Sequence, residues 1–72
     1  MTFEPGAPIS SRFKYYQPKG DQADRYIAIR SKAFAFATYL EENCPQSRER
    51  SLAITKLEEA VMWANASIAR NE

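Results

Sequence analysis

The sequence predicts an all-α fold: an antiparallel two-helix hairpin preceded by an N-terminal aromatic segment or short helix, with copies assembling into a homo-oligomer. Three observations support this. Three of the four prolines and both glycines fall in residues 1–20, and after Gly20 only Pro45 interrupts the chain. The stretches on either side of Pro45 space their apolar residues at roughly 100° intervals, as helices do. Finally, 72 residues make one domain at most, and chains this small bury only ~60% of the surface their unfolded form exposes.

The N-terminal segment contains Pro5, Pro8 and Pro18, which lack a backbone donor and oppose helix interiors. It also carries Phe3, Ile9, Phe13, Tyr15 and Tyr16, a content too aromatic for a disordered tail. It is therefore expected to lie against the rest of the protein, with one short helical turn around residues 9–16. A first helix is predicted over about 22–42. Asp21 suits its N-cap and Asp24 its first turn, where the helix dipole favours negative charge; Asn43 and Pro45 end it. Tyr26, Ile29, Ala33, Phe36 and Leu40 form one stripe, which Ile27, Phe34 and Ala37 widen to roughly half the circumference. That is more than one neighbouring helix covers. Arg30 falls inside this arc; either its stem packs while the guanidinium reaches solvent, or it meets a ligand or second subunit. Lys32 projects from the opposite side, near Tyr39, and by itself reads as a solvated charge.

A second helix is predicted over about 48–70, capped by Ser47 with Glu49 in its first turn. Its main stripe is Ala53, Leu57, Ala60, Ala64 and Ile68, flanked by Ile54 and Val61. Three alanines would allow close approach, and the short connection makes the helices antiparallel neighbours. Leu52, Lys56, Glu59, Trp63 and Arg70 form another stripe roughly 80–140° away, with Met62 further round. One hairpin partner cannot cover all these directions. Phe34, Leu52, Met62 and Trp63 are therefore assigned to an interface with another subunit, in preference to cover by the N-terminal segment alone.

Composition narrows the function. The single cysteine, Cys44, cannot form an internal disulfide, and the absence of histidine removes the usual zinc spacings. Oligomerisation is then the expected support for so small a chain, with unusually good helix packing as the competing explanation. Ten Lys plus Arg against nine Asp plus Glu give a net charge of +1, which disfavours duplex nucleic acid as a partner. No apolar run reaches the ~20 residues needed to span a bilayer, so no membrane partner is expected. A lone thiol and no signal-peptide pattern point to a cytoplasmic protein. General acid–base work most often uses histidine; Glu58 and Glu59 are adjacent and do not face each other on a helix. No catalytic residue, cofactor or metal is expected, and the chain is read as not an enzyme.

Binding chemistry is better represented. Ser47, Arg48 and Arg50 stand at a helix start, where free N–H groups and the dipole attract anions. Tyr15 and Tyr16 lie beside Lys14 and Lys19, and an aromatic face with nearby cations suits a nucleotide. Taken singly, each cluster is better read as capping, packing and solubility.

The segment PQSRERSLAITKLEEAVMWANASIARN, residues 45–71, changes that balance. Its proline turn, SRE, the SLA-x-TKLEEA run, MWAN and IARN resemble the C-terminal hairpin segment of phage cyclic-oligonucleotide sponges, the anti-CBASS sponges and their anti-Thoeris relatives. Residues 21–44 match more loosely. The resemblance implies a non-enzymatic phage inhibitor of bacterial immunity, acting in the cytoplasm of the infected host. Such proteins form helical-hairpin oligomers, often hexamers, that trap immune signals. The anti-CBASS branch takes cyclic dinucleotides such as cyclic GMP-AMP, and in some members cyclic trinucleotides; the anti-Thoeris branch takes cyclic ADP-ribose isomers. By this resemblance the ligand would meet Tyr15 or Tyr16, a basic residue in the first helix (Arg30 or Lys32), and Ser47 or Arg48 at the second helix, with Arg70 a candidate for a second site. The alternative is a helical protein-interaction module using the Leu52–Trp63 stripe.

Overall fold

The computed structural model describes residues 9–72, apart from the side chains of Ser10 and Ser11; the expectations for Phe3, Pro5 and Pro8 lie outside these residues. Helix α1 is a single turn, Ile9–Arg12. After an irregular stretch come α2, Gln22–Asn43, and α3, Arg48–Asn71. The described residues contain no strand. As the periodicity predicts, α2 and α3 pack as a hairpin. Gln22 bonds to Glu72 at the open end, and Arg50 reaches Cys44 at the turn; those two contacts fix the antiparallel register.

The turn is held by local hydrogen bonds. The Ser47 hydroxyl accepts from the Arg50 N–H at 3.1 Å and donates to the Pro45 carbonyl at 3.1 Å. The Arg50 guanidinium reaches back to the carbonyls of Glu41 (3.2 Å) and Cys44 (3.3 Å). It thereby satisfies acceptors that α2 leaves unpaired at its C-terminus and places a cation at the negative end of the dipole. At the other end of α2, Asp21 occupies the N-cap position without a side-chain cap bond. Its carboxylate instead lies 3.2 Å from the Arg25 guanidinium.

The interface differs from the expected stripes in two places. On α2 the half-buried apolar residues are Tyr26, Ile29, Ala33, Ala37 and Leu40, while Phe36 is exposed. On α3 they are Ile54, Leu57, Val61, Ala64, Ala66, Ile68 and Ala69, while Ala53 and Ala60 are exposed. Both corrections have one cause. Turning each helix slightly replaces Ala53 and Ala60 by Ile54 and Val61, and each added buried CH₂ contributes ~0.8 kcal/mol. The large Phe36 ring is displaced to the flank, where it stacks on Tyr39 at 6.5 Å between centroids.

The hairpin is one layer thick. Its smallest dimension is 14 Å, little more than the ~10–12 Å of one helix with side chains. Among the described residues no hydrophobic side chain is buried, and Gln22, 3% exposed, is the buried polar one. Ile27, Phe34, Tyr39, Leu52, Met62 and Trp63 remain exposed. The Leu52–Trp63 stripe proves to lie on the side of α3 away from α2: with Ile54, Leu57 and Val61 facing inward, it stands roughly 170° round. No described helix is long and apolar enough to cross a membrane.

Candidate functional site

The open end of the hairpin gathers the N-terminal segment onto the end of α3. Gly20 makes the reversal possible: its φ is +59°, a left-handed conformation that glycine adopts without steric cost. A Cβ there would meet nothing within 4 Å, so the constraint is backbone conformation and not space. The chain turns at Gly20 into α2, with the Gln22 N–H donating to the Lys19 carbonyl at 3.1 Å.

Gln22 then works in both directions. Its Oε1 accepts from the Lys19 N–H at 3.1 Å, and its Nε2 donates to Glu72 Oε1 at 3.4 Å. Buried within this arrangement, it ties the incoming segment to the far end of the chain. Arg25 completes the clasp with two hydrogen bonds to Glu72, one of 2.9 Å from Nη1 to Oε2 and a close one from Nη2 to Oε1. Paired donors of this kind are among the stronger protein hydrogen bonds. Hydrogen bonding to Glu72, helped by the charge of Asp21, raises the Arg25 pKa above its usual value. The same bonds from Arg25, with a smaller contribution from Gln22, hold the Glu72 carboxyl below its usual range.

The clasp frames an open groove of about 480 Å³ lined by Lys14, Tyr15, Tyr16, Gln17 and Lys19 on one side and by Ala69, Arg70, Asn71 and Glu72 on the other. The Lys14 ammonium sits 5.7 Å from the Tyr16 ring centroid, within cation–π range. The Arg70 guanidinium donates to the Arg12 carbonyl at 3.5 Å, which ties the end of α1 to α3. Among the described residues, Lys14, Lys19 and Arg70 line the groove with the Glu72 side-chain carboxylate, which Arg25 binds. The groove therefore sets aromatic faces beside cationic side chains, a combination suited to a planar ring system bearing phosphates. Among the described residues no cluster of His, Cys, Asp or Glu could hold a metal ion.

The structure brings Tyr15, Tyr16 and Arg70 to this groove and leaves the other candidate residues elsewhere. Arg30 and Lys32 are exposed on α2, eight and ten residues beyond Gln22 and so roughly 12–15 Å along the axis. Ser47 and Arg48 stand at the turn, a helix length of roughly 33 Å from the groove. There the Ser47 hydroxyl is occupied by the cap and Arg50 by the carbonyls of α2, while Arg48 is exposed. Sequence reasoning passed over Gln22, Arg25 and Glu72. A signal for Gln22 existed: it precedes Tyr26, Ile29 and Ala33 on the same helical stripe, where a glutamine needs a partner.

No curated protein and no solved structure matches the chain significantly. The family profile described as "Acb2/Tad1, hairpin domain" matches residues 7–69, which takes in α1, the groove-lining segment and nearly all of the hairpin. The chain therefore belongs to the Acb2/Tad1 hairpin family, the anti-CBASS and anti-Thoeris sponges.

Proposed function

We propose that this chain is a phage anti-defence sponge that binds cyclic dinucleotides such as cyclic GMP-AMP, and cyclic trinucleotides, and holds them uncleaved in the cytoplasm of the infected bacterium, suppressing CBASS immunity. The observation that carries this is the meeting of Tyr15, Tyr16, Lys14, Lys19 and Arg70 in one groove. A base stacked on a tyrosine contributes ~1–3 kcal/mol, and the cations offset phosphate charge. Glu72, the carboxylate among the lining residues, makes a poor proton acceptor because Arg25 lowers its proton affinity. A ligand held here is thus not exposed to an activated general base.

The functional unit is a homo-oligomer, a hexamer as in the family's known assemblies. The support is physical: a hairpin 14 Å thick without a buried hydrophobic residue gains stability by covering Phe34, Leu52, Met62 and Trp63 with further copies. A sponge works by mass action, so its affinity and abundance decide how much signal remains free for an effector. Titration calorimetry against cyclic GMP-AMP, a cyclic trinucleotide and a cyclic ADP-ribose isomer tests the proposal. Uptake of the cyclic dinucleotide is expected. Exclusive uptake of the cyclic ADP-ribose isomer would move the protein to the anti-Thoeris role, and uptake of none would reject sequestration.

A further inference from the structure

The clasp at the open end of the hairpin is built like an anion site, and its anion is the protein's own. The Glu72 carboxylate takes both Nη donors of Arg25 and the Nε2 donor of Gln22. The Lys19 ammonium adds its charge to the same group. Arginine's planar fork fits a carboxylate and a phosphate alike. Each donor is also held without Glu72. Asp21 holds the Arg25 guanidinium through Nη2 at 3.2 Å, and the Lys19 N–H fixes the Gln22 amide through Oε1 at 3.1 Å. Glu72, by contrast, stands one residue beyond α3 as its C-cap, and its side chain is 43% exposed.

We propose that Arg25, Gln22 and Lys19 form a phosphate-binding subsite of the groove, and that Glu72 occupies it as an internal stand-in which a ligand phosphate displaces. This names the part of the groove that takes a phosphate, and it rests on the nucleotide-binding function proposed above for the nature of the ligand. An exposed ion pair contributes little net stability, because water competes for both charges. A phosphate that exchanges for Glu72 keeps the Arg25 and Gln22 donors paired, while the released carboxylate regains its water. Glu72 and Lys19 line the same groove as Tyr15 and Tyr16. One ligand can therefore stack a ring on a tyrosine and place a phosphate in the subsite.

In this arrangement Glu72 sets a threshold for binding: it competes with a phosphate and not with a neutral ring. Removing its charge has opposite signs under two roles. If the carboxylate served only as a tie, its loss would loosen the Lys14–Lys19 segment and weaken binding. As a stand-in, its loss strengthens binding. Glu72→Gln separates the two, because the amide keeps an acceptor for Arg25 and Gln22 while giving up the negative charge.

Nuclear magnetic resonance on isotope-labelled protein, titrated with inorganic pyrophosphate at constant ionic strength, tests the subsite without a nucleotide. In the unaltered chain the Arg25 Nε–H, the Gln22 side-chain amide and the Glu72 carboxyl carbon should shift together, the last toward the position of an unpaired glutamate. Glu72→Gln should then bind pyrophosphate about two- to fivefold more tightly, the equivalent of one exposed ion pair. Arg25→Lys, which keeps the charge and loses the fork, should weaken binding. No shift at Arg25 and Gln22, a Glu72 carboxyl that stays in place, or Glu72→Gln binding no more tightly than the unaltered chain would overturn the subsite. The unaltered-chain readings decide the matter should Glu72→Gln lose its helical circular dichroism. Cyclic GMP-AMP titrated in parallel keeps the two proposals apart. Displacement of Glu72 by pyrophosphate with no uptake of any cyclic nucleotide would retain the subsite and reject sequestration. Nucleotide uptake that leaves Glu72 paired to Arg25 would retain sequestration and reject the subsite.

Discussion

Replacing Gln22 by alanine should separate the groove from the hairpin that supports it. The side chain is 3% exposed and makes two tertiary ties. One is the 3.1 Å bond from the Lys19 N–H; the other is the 3.4 Å bond to Glu72. The first is worth about 1 kcal/mol net. The second involves a carboxylate but lies at the long limit of hydrogen-bond geometry, so the two together come to about 1–2 kcal/mol. That loss should lower Tm by roughly 4–8 °C per kcal/mol for a chain of this size. If Gln22 holds the Lys14–Lys19 segment in its binding position, the cost of ordering the segment is transferred to ligand binding. Affinity for cyclic GMP-AMP should then fall about 5–30-fold while far-ultraviolet circular dichroism keeps its helical signature. Thermal melts and calorimetry on the same preparation give both quantities. A variant that melts lower yet binds with undiminished affinity would show that the clasp does not position the segment.

Other consequences follow from the same geometry. Saturating cyclic GMP-AMP should raise Tm, by about 2.7 kcal/mol of added stability at a hundred times Kd, and Tyr16→Ala should reduce the rise; an unchanged rise would remove Tyr16 from the site. Acid should open the clasp in a defined direction. The folded Glu72 carboxyl lies below its ordinary value of 4.5, so its stabilisation is complete above 4.5 and is lost as pH falls through the lower folded value. Glu72→Gln should flatten that limb of a plot of Tm against pH, and a wild-type slope in the variant would refute the assignment. Ser47→Ala should cost about 1 kcal/mol by removing the cap, measurable as a lower urea midpoint with an unchanged m-value.

The hairpin was legible because its signals are local. Pro45, the Ser47 cap and apolar residues at helical spacing each act within a few positions of themselves. Facing was less legible: Phe36 and Ala37 stand 100° apart on opposite edges of the α2 stripe, as do Ala53 and Ile54 on α3, and only packing of both helices together selects one of each pair. The groove was half legible. Tyr15, Tyr16 and Arg70 carry recognisable chemistry, but their meeting depends on Gly20 turning the chain and on Gln22 and Arg25 gripping Glu72, fifty and forty-seven residues away. Contacts at that separation leave no periodic trace.

The most direct test of sequestration is recovery of the ligand. The protein is incubated with cyclic GMP-AMP, freed of unbound nucleotide by gel filtration, heat-denatured and chromatographed. Sequestration predicts retention on the native protein and release of unchanged cyclic GMP-AMP on denaturation. Recovery of a linearised product, or no nucleotide carried through the column by any member of the cyclic-nucleotide panel, would contradict it.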